Sequence, residues 1–313
     1  MESGQKTKLL QVYPNTLDEV RKEINLGKPG EMEQAVKLVK EWIQQQPHFK
    51  KKDFTDTYIE ANIVASKGSI ERAKRVIDKA CTMRTLWPHF FNVKDIRTDY
   101  AEIHDIGSLA IMPVLTKEHH RIVYISFNKP ITKSSQIMQH YKFGCCIVDS
   151  LRRFDVVGNI QYILDMRQTN MADFLTSFNL MEFRQAYSIF IDCYSFRIKG
   201  IHVISPSKLM ESFIGILKQI LKPKLISRLH HYPDSDALVE ILGKEYLPSD
   251  AGGDQKSAKE IQEDWIEALS SKDNMEYLRD INEGGTDENL RQKSSFNEDY
   301  AGMPGSFRLL SVD

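Results

Sequence analysis

The stretch IHVISPSKLMESFIGILKQILK, residues 201–222, sets a short β-branched run against a long amphipathic one. Ile201 to Ser205 reads as a strand. At ~100° per residue, Leu209, Met210, Phe213, Ile214, Ile216, Leu217, Ile220 and Leu221 fall within an arc of roughly 160°. Lys208, Glu211, Ser212, Gly215, Lys218, Gln219 and Lys222 fill the other side. A strand followed by such a helix is half of a βαβ unit, and the same alternation extends in both directions. Further strands are expected at Arg121 to Phe127, Asn159 to Asp165 and Ile226 to Tyr232. Helices are expected between them near Ser135 to Phe154 and Met181 to Tyr194. Strands alternating with helices imply a mostly parallel sheet with right-handed crossovers.

Upstream the texture is helical. Ala35, Val36, Leu38, Val39, Trp42 and Ile43 recur at helical spacing until Pro47, and Ile70, Ala73, Val76, Ile77, Ala80 and Cys81 repeat the period behind a Ser69 N-cap. The fold class expected is therefore α/β, a helical N-terminal module ahead of a mostly parallel-sheet domain. Beyond Gly252-Gly253 the chain turns acidic. Ser249 to Glu288 holds twelve acidic and four basic residues, a net of −8, and reads as a partly ordered, solvated appendage with a helical patch around Trp265 and Leu269. The divisions expected are residues 1–92, 93–255 and 256–313.

Composition narrows the function. With 41% apolar and 27% charged residues the chain is globular, and 42 Lys+Arg against 43 Asp+Glu give a formal charge of −1, so no global field draws it to nucleic acid. No apolar run is long enough to span a bilayer, and Met1 to Lys8 lacks a signal-peptide apolar region, so a cytoplasmic protein is expected. Four cysteines, with Cys145 and Cys146 adjacent, fit reduced buried thiols rather than a disulfide framework or a zinc site.

Catalytic signatures are missing. There is no G-x-S-x-G elbow, no phosphate-binding glycine loop and no H-E-x-x-H. The pairs His119-His120 and His230-His231 would point to opposite faces of a strand, so neither pair suits one metal, and His202 inside a strand fits a hydrogen-bonded half-buried residue better than a general base. Neither enzyme catalysis nor a metal is expected. The charge distribution is more telling: Arg197 to Tyr232 carries seven basic residues and one acid, a net of +6, around the most amphipathic helix of the chain. The wide apolar face can be ordinary packing on a sheet. It can also be a lid on an apolar cavity, or a helix that dips into an anionic membrane.

Several motifs carry a resemblance. Tyr194-Ser195-Phe196-Arg197-Ile198-Lys199-Gly200-Ile201-His202-Val203-Ile204-Ser205 resembles the Y-P-x-R-[IV]-[KR]-x-I-H-x-I-N segment of CRAL-TRIO (Sec14-like) lipid-binding proteins, and Leu247-Pro248-Ser249-Asp250-Ala251-Gly252-Gly253 resembles their L-P-x-E-x-G-G turn. Ser69 to Lys74 and Met83 to Phe91 are similar to the family's helical N-terminal module, and Gly305-Ser306-Phe307-Arg308 to the insect-type tocopherol-transfer and retinaldehyde-binding branch. Ser195 stands where the family has proline, Val64-Ala65-Ser66-Lys67 where it usually carries arginines, and Asp165-Met166-Arg167-Gln168 lacks a glycine common there.

The resemblance implies an apolar pocket beneath a mobile gate helix, with Leu209, Met210, Phe213, Ile214, Leu217, Ile220 and Leu221 as the gate. It implies a pocket lined by Cys146, Ile160, Leu164, Ala186, Ile189, Phe190, Tyr194, Ile201, Phe213, Ile216 and Leu217 around a bound hydrophobic ligand, with no other cofactor. It implies a phosphoinositide site at Arg197, Lys199, Lys224 and Arg228, with Arg75 contributing from the N-terminal module. The function implied is cytosolic binding and intermembrane transfer of a tocopherol, a retinoid or a similar lipid, with peripheral docking on phosphoinositide-bearing membranes. The rivals are a non-transferring phosphoinositide-dependent adaptor and a hydrolase or isomerase.

Overall fold

The structure is a computed structural model, and residues 9–155 and 157–291 are described. The Gly305 to Arg308 motif and the Met1 to Lys8 opening lie outside them. Four helices, α1 (Thr16–Glu23), α2 (Glu31–Gln45), α3 (Asp56–Ala65) and α4 (Ile70–Leu86), build the N-terminal module. The Ser69 hydroxyl caps α4 by accepting from Arg72 N at 3.3 Å. Val39, Ile43, Ile59, Ile63, Ala73 and Ile77, the positions at helical spacing, form its core.

Short helices α5 (Ile96–Asp99) and α6 (Ala101–Ile106) lead into β1 (Gly107–Ile111) and β2 (Arg121–Phe127). Then come α7 (Ser134–Phe154), β3 (Asn159–Asp165), α8 (Met171–Ser177) and α9 (Leu180–Ser188), followed by one π turn, Ile189–Cys193. β4 (Arg197–Ile204), α10 (Leu209–Lys218), α11 (Pro223–Ile226), β5 (Leu229–Tyr232) and α12 (Asp236–Leu242) complete the sheet domain. The strand order is β1-β2-β3-β4-β5, with β1 antiparallel to β2 and every later pairing parallel. The α/β class with a helical module in front is what the sequence implies.

Several boundaries differ, for physical reasons. β1 escapes a reading by β-branched runs because GSLAI holds a single β-branched residue and is buried throughout, without alternation. β4 begins four residues before Ile201, since Arg197 and Ile198 already pair with β3 and a register shift at Ile160/Gln161 absorbs the extra residue. Ile226 belongs to α11 and not to β5. The helix expected through Tyr194 converts to a π turn after Ser188, and Ser195 sits at φ 54°, a conformation that proline, fixed near −65°, cannot adopt. That accounts for the serine in the family's proline position.

The acidic segment is no solvated appendage. α13 (Ala258–Leu269) and α14 (Lys272–Asn282) pack into the molecule, with Ile261, Trp265 and Leu269 buried against the sheet core and Ile281 in the core of the N-terminal module. The charge excess rides on the outward faces, where Glu260, Glu263, Glu267 and Asp273 are exposed. α13 also finishes the open side of β1. Gln262 accepts from Leu109 N at 2.6 Å and donates to Gly107 O at 3.3 Å, and Trp265 Nε1 donates to Ile111 O at 3.1 Å, so the edge of the sheet has partners. Lys51 meets Asp280 at 2.7 Å, and Phe49 pairs with Thr286 in an isolated antiparallel bridge. Module and sheet domain are further joined by Arg84, which donates to both carboxylate oxygens of Asp149 on α7 at 2.8 Å with both side chains buried.

Candidate functional site

Between the sheet and the α7/α9 layer lies a hollow of about 210 Å³. Leu109, Ile111, Val123, Ile125, Ile160, Tyr162, Ile198 and Ile201 form its floor, one residue in two from β1, β2 and β3, while the register shift sets Ile198 and Ile201 three apart on β4. His140, Tyr141, Gly144, Ile147, Val148 and Leu151 form the α7 wall at three- and four-residue steps. A Cβ on Gly144 would lie 3.0 Å from the Phe190 ring, so glycine keeps this wall close to the π turn. Ala186, Phe190 and Ile191 close one side, and Leu221 and Leu225 close the mouth. A smaller void of about 40 Å³ shares Val123, Val148, Leu151, Ile160 and Phe196 and continues toward Val64 of the N-terminal module.

Of the expected pocket residues, Ile160, Ala186, Phe190 and Ile201 line this hollow. The other seven lie outside its lining. Cys146 turns its sulfur to the Tyr100 hydroxyl at 3.4 Å. Ile189 packs with Trp87 and Phe90, and Tyr194 lies under the Arg152 guanidinium with its hydroxyl 3.4 Å from Cys145 O. Leu164, Phe213 and Leu217 pack with Met171 and Phe174 in a cluster that also holds the hollow's Ile198, Leu221 and Leu225, and Ile216 is half-buried. Phe213 meets Phe174 and Phe178 edge-on, each at 5.1 Å. The expected gate divides in the same way. Met210, Phe213, Ile214 and Leu217 are buried in that cluster, Leu209 is exposed, Ile220 is half-buried, and Leu221 alone of the seven touches the hollow. The missed floor residues were legible in principle: alternation along β2 and β3 puts Val123 and Ile125 on the same face as Ile160 and Tyr162. The nearest cover is therefore the turn after α10, residues 219–225.

Behind that turn opens a second cavity, about 670 Å³, of the opposite character. Arg75, Arg197, Lys199, Lys224 and Arg228, the five expected anion-site residues, all line it, and the structure adds Lys67, Arg72, Lys79 and Lys222. Nine cations thus face two carboxylates, Glu23 and Asp192. The N-terminal module supplies four of the nine, although Val64-Ala65-Ser66 replaces the family's arginines. Lys67 reaches the cleft from a left-handed turn at φ 58° before α4.

The cleft is only partly neutralised. Glu23 bridges Arg197 Nη1 at 3.2 Å and Lys199 Nζ at 3.4 Å, and Lys222 meets Asp192 at 3.1 Å. Arg197 nevertheless keeps Nε and Nη2 buried without a partner, an unfavourable state for a guanidinium. Burial lowers the pKa of Arg197, and Lys224 followed by burial lowers that of Lys67. Burial pushes the Glu23 carboxyl up, but Arg197, Asn159 and Lys199 outweigh it and hold it below the usual carboxylate range. Arg72 donates to the Ser195 hydroxyl at 2.8 Å, and Arg228 donates to the Ile198 carbonyl. An anion with several oxygens would find forked and point donors here together.

The other polar candidates lie outside both linings. His202 is buried on the far face of the sheet, its Nε2 3.3 Å from Gln161 Oε1 and its Nδ1 3.4 Å from the Tyr232 hydroxyl, and burial pulls its pKa down to about 4. His119 and His120 have separate partners, Thr16 at 3.0 Å and Gln161 at 3.3 Å. All four cysteines are free and buried, and burial pushes the Cys81 and Cys146 thiols up to about 12. Among the described residues no cluster of three or more metal-ligating side chains occurs, and no helix is long and apolar enough to cross a membrane.

Comparison with known proteins bears on the same regions. Residues 107–253, from β1 past the last strand, match the family model of the CRAL/TRIO domain, and residues 28–101 match the Pinta-like UBA domain. Alpha-tocopherol transfer protein-like proteins of Homo sapiens and Pongo abelii are each 22% identical over 207 residues, 63% of this chain and 58% of theirs. The one from Mus musculus is 19% identical over 222 residues, 70% of this chain and 64% of that protein. The match thus spans somewhat under two thirds of these relatives' length. The crystal structure of Sfh5 superposes with a TM-score of 0.47 at 8% identity, over 87% of this chain and 99% of that one.

Proposed function

We propose, from the premise that this chain is a CRAL/TRIO-domain protein, that it holds an apolar small molecule in the hollow and exchanges it at an anionic membrane surface read by the basic cleft. The observation that carries the reading is the turn shared by both cavities. Leu221 and Leu225 close the hollow, while Lys222 and Lys224, between them in sequence, line the cleft. An anion that draws the two lysines moves the two leucines with them.

The energetics favour a door that stays shut in water. Burying a large apolar side chain contributes ~1.5 to 3 kcal/mol, so exposing Leu221 and Leu225 together costs about 3 to 6 kcal/mol. A bilayer receives those side chains and removes most of that cost, and its differential affinity for the open state drives the opening. The closed hollow is smaller than the ~300 to 1,000 Å³ typical of ligand pockets, so a tocopherol-sized or retinoid-sized cargo requires the turn to yield. In this reading the protein works from the cytoplasm, peripheral at membranes bearing phosphoinositides, and catalyses no covalent step.

The test is to purify the protein, extract it with organic solvent and identify bound molecules by mass spectrometry, then follow transfer between vesicles with and without phosphoinositides. A hydrophobic compound in near-equimolar amount and faster exchange with phosphoinositide vesicles are expected. A protein that carries no lipid, and takes none up from vesicles, overturns the carrier. It would favour the second reading, a phosphoinositide-dependent adaptor, for which the UBA match over residues 28–101 speaks.

A further inference from the structure

Two residues past the turn that covers the hollow stands an exposed hydroxyl. Ser227 is the C-cap of α11 and donates to Lys224 O at 3.0 Å. Ser227 and Arg228 follow Lys224 by three and four residues, so the three share one side of this helical turn, and Lys224 and Arg228 both line the basic cleft. The serines on the other rim are out of reach of an enzyme: Ser66 is 1% exposed and Ser195 2%. We propose that Ser227 is a phosphorylation site, and that its phosphate takes up cations of the cleft in place of a membrane. The inference rests on the docking reading and adds its regulation.

The residues around Ser227 suit a kinase that recognises basic substrates. Lys222 and Lys224 stand five and three residues before it, both exposed, and residues 222–228 hold three cations and no acid. A substrate groove lined by carboxylates attracts such a segment. α11 is four residues long, too short to hold a helix by itself, so drawing it out into a groove costs little. In the transfer the serine oxygen bonds to the γ-phosphorus of ATP, the bond from that phosphorus to the β,γ-bridging oxygen breaks, ADP leaves, and the hydroxyl proton passes to the base of the kinase. The product carries about −1.5 to −2 near pH 7. That one group matches Glu23 and Asp192, the two carboxylates of the cleft, together. Cations paired within the chain are then closed to lipid phosphates.

The full chain is incubated with ATP, Mg²⁺ and protein kinase A, B or C, enzymes that select basic residues ahead of the serine, and phosphorylated peptides are mapped by mass spectrometry. At least one is expected to modify Ser227. Ser227→Ala should remove that phosphopeptide and leave sedimentation with phosphoinositide vesicles unchanged. The phosphorylated protein should sediment about twentyfold more weakly at low salt, and Ser227→Glu, with a single negative charge, about fivefold. Phosphate on other residues only, or on none, overturns the site. Phosphate at Ser227 with vesicle binding unchanged or strengthened overturns the switch. Unmodified protein that does not sediment with phosphoinositide vesicles overturns the docking reading itself, and the regulation with it.

Discussion

The hollow and the basic cleft lie back to back, with Ile191, Phe196, Ile198 and Leu225 lining both. On one side of that wall nearly every atom is hydrocarbon. On the other, nine cations face two carboxylates across an opening about three times as large in volume. The lining of the hollow carries no Lys, Arg, Asp or Glu, so no charge repulsion pushes it open. The cleft is under electrostatic stress, since Lys67 and Lys224 repel and Arg197 holds unpaired nitrogens. The contrast teaches where the free energy for opening would reside: in the cleft, which an anion relieves, and not in the hollow, which has no reason to open by itself.

The largest expected effect strikes the frame both regions share. Asp149→Ala leaves the buried Arg84 guanidinium without its carboxylate between module and sheet domain and should lower unfolding free energy by about 3 to 5 kcal/mol in urea titration. Loss of cleft and hollow together with folding would show that they stand on one scaffold, and a change under 1 kcal/mol would show that the joint is dispensable. Next, Arg197→Ala combined with Lys224→Ala should weaken sedimentation with phosphoinositide vesicles about thirtyfold at low salt, at ~1 kcal/mol for each cation, while the bound hydrophobic compound is still recovered on extraction. Equal damage to both would erase the division of labour. The smallest effect is a gain: Glu23→Gln removes the chain's own anion from Arg197 and Lys199 and should tighten vesicle binding about threefold, the worth of a half-exposed ion pair. Unchanged binding would mean that Glu23 is no competitor.

The two regions were also unequally legible. All five residues that the resemblance pointed to line one cleft, four of them from the +6 stretch Arg197 to Tyr232 and Arg75 from α4. Only four of eleven expected pocket residues line the hollow. Phe213 and Leu217 have the right chemistry but are spent on the Phe174 cluster, and no property of a leucine in sequence says whether it faces a void or another leucine. The acidic segment misled for a related reason. Its net charge describes the outward faces of α13 and α14, while Ile261, Trp265, Leu269 and Ile281, spaced along the inward ones, carry the packing.

That returning segment has a consequence for how the chain is made. Phe49 pairs with Thr286, Lys51 with Asp280 and Asp78 with Arg291, so the N-terminal module is clasped by residues translated more than two hundred positions later. Until then the groove awaiting Ile281 and the side of β1 awaiting Trp265 stand open to solvent. A nascent chain stalled near residue 255 would have its whole sheet and still be sticky, a natural client for chaperones.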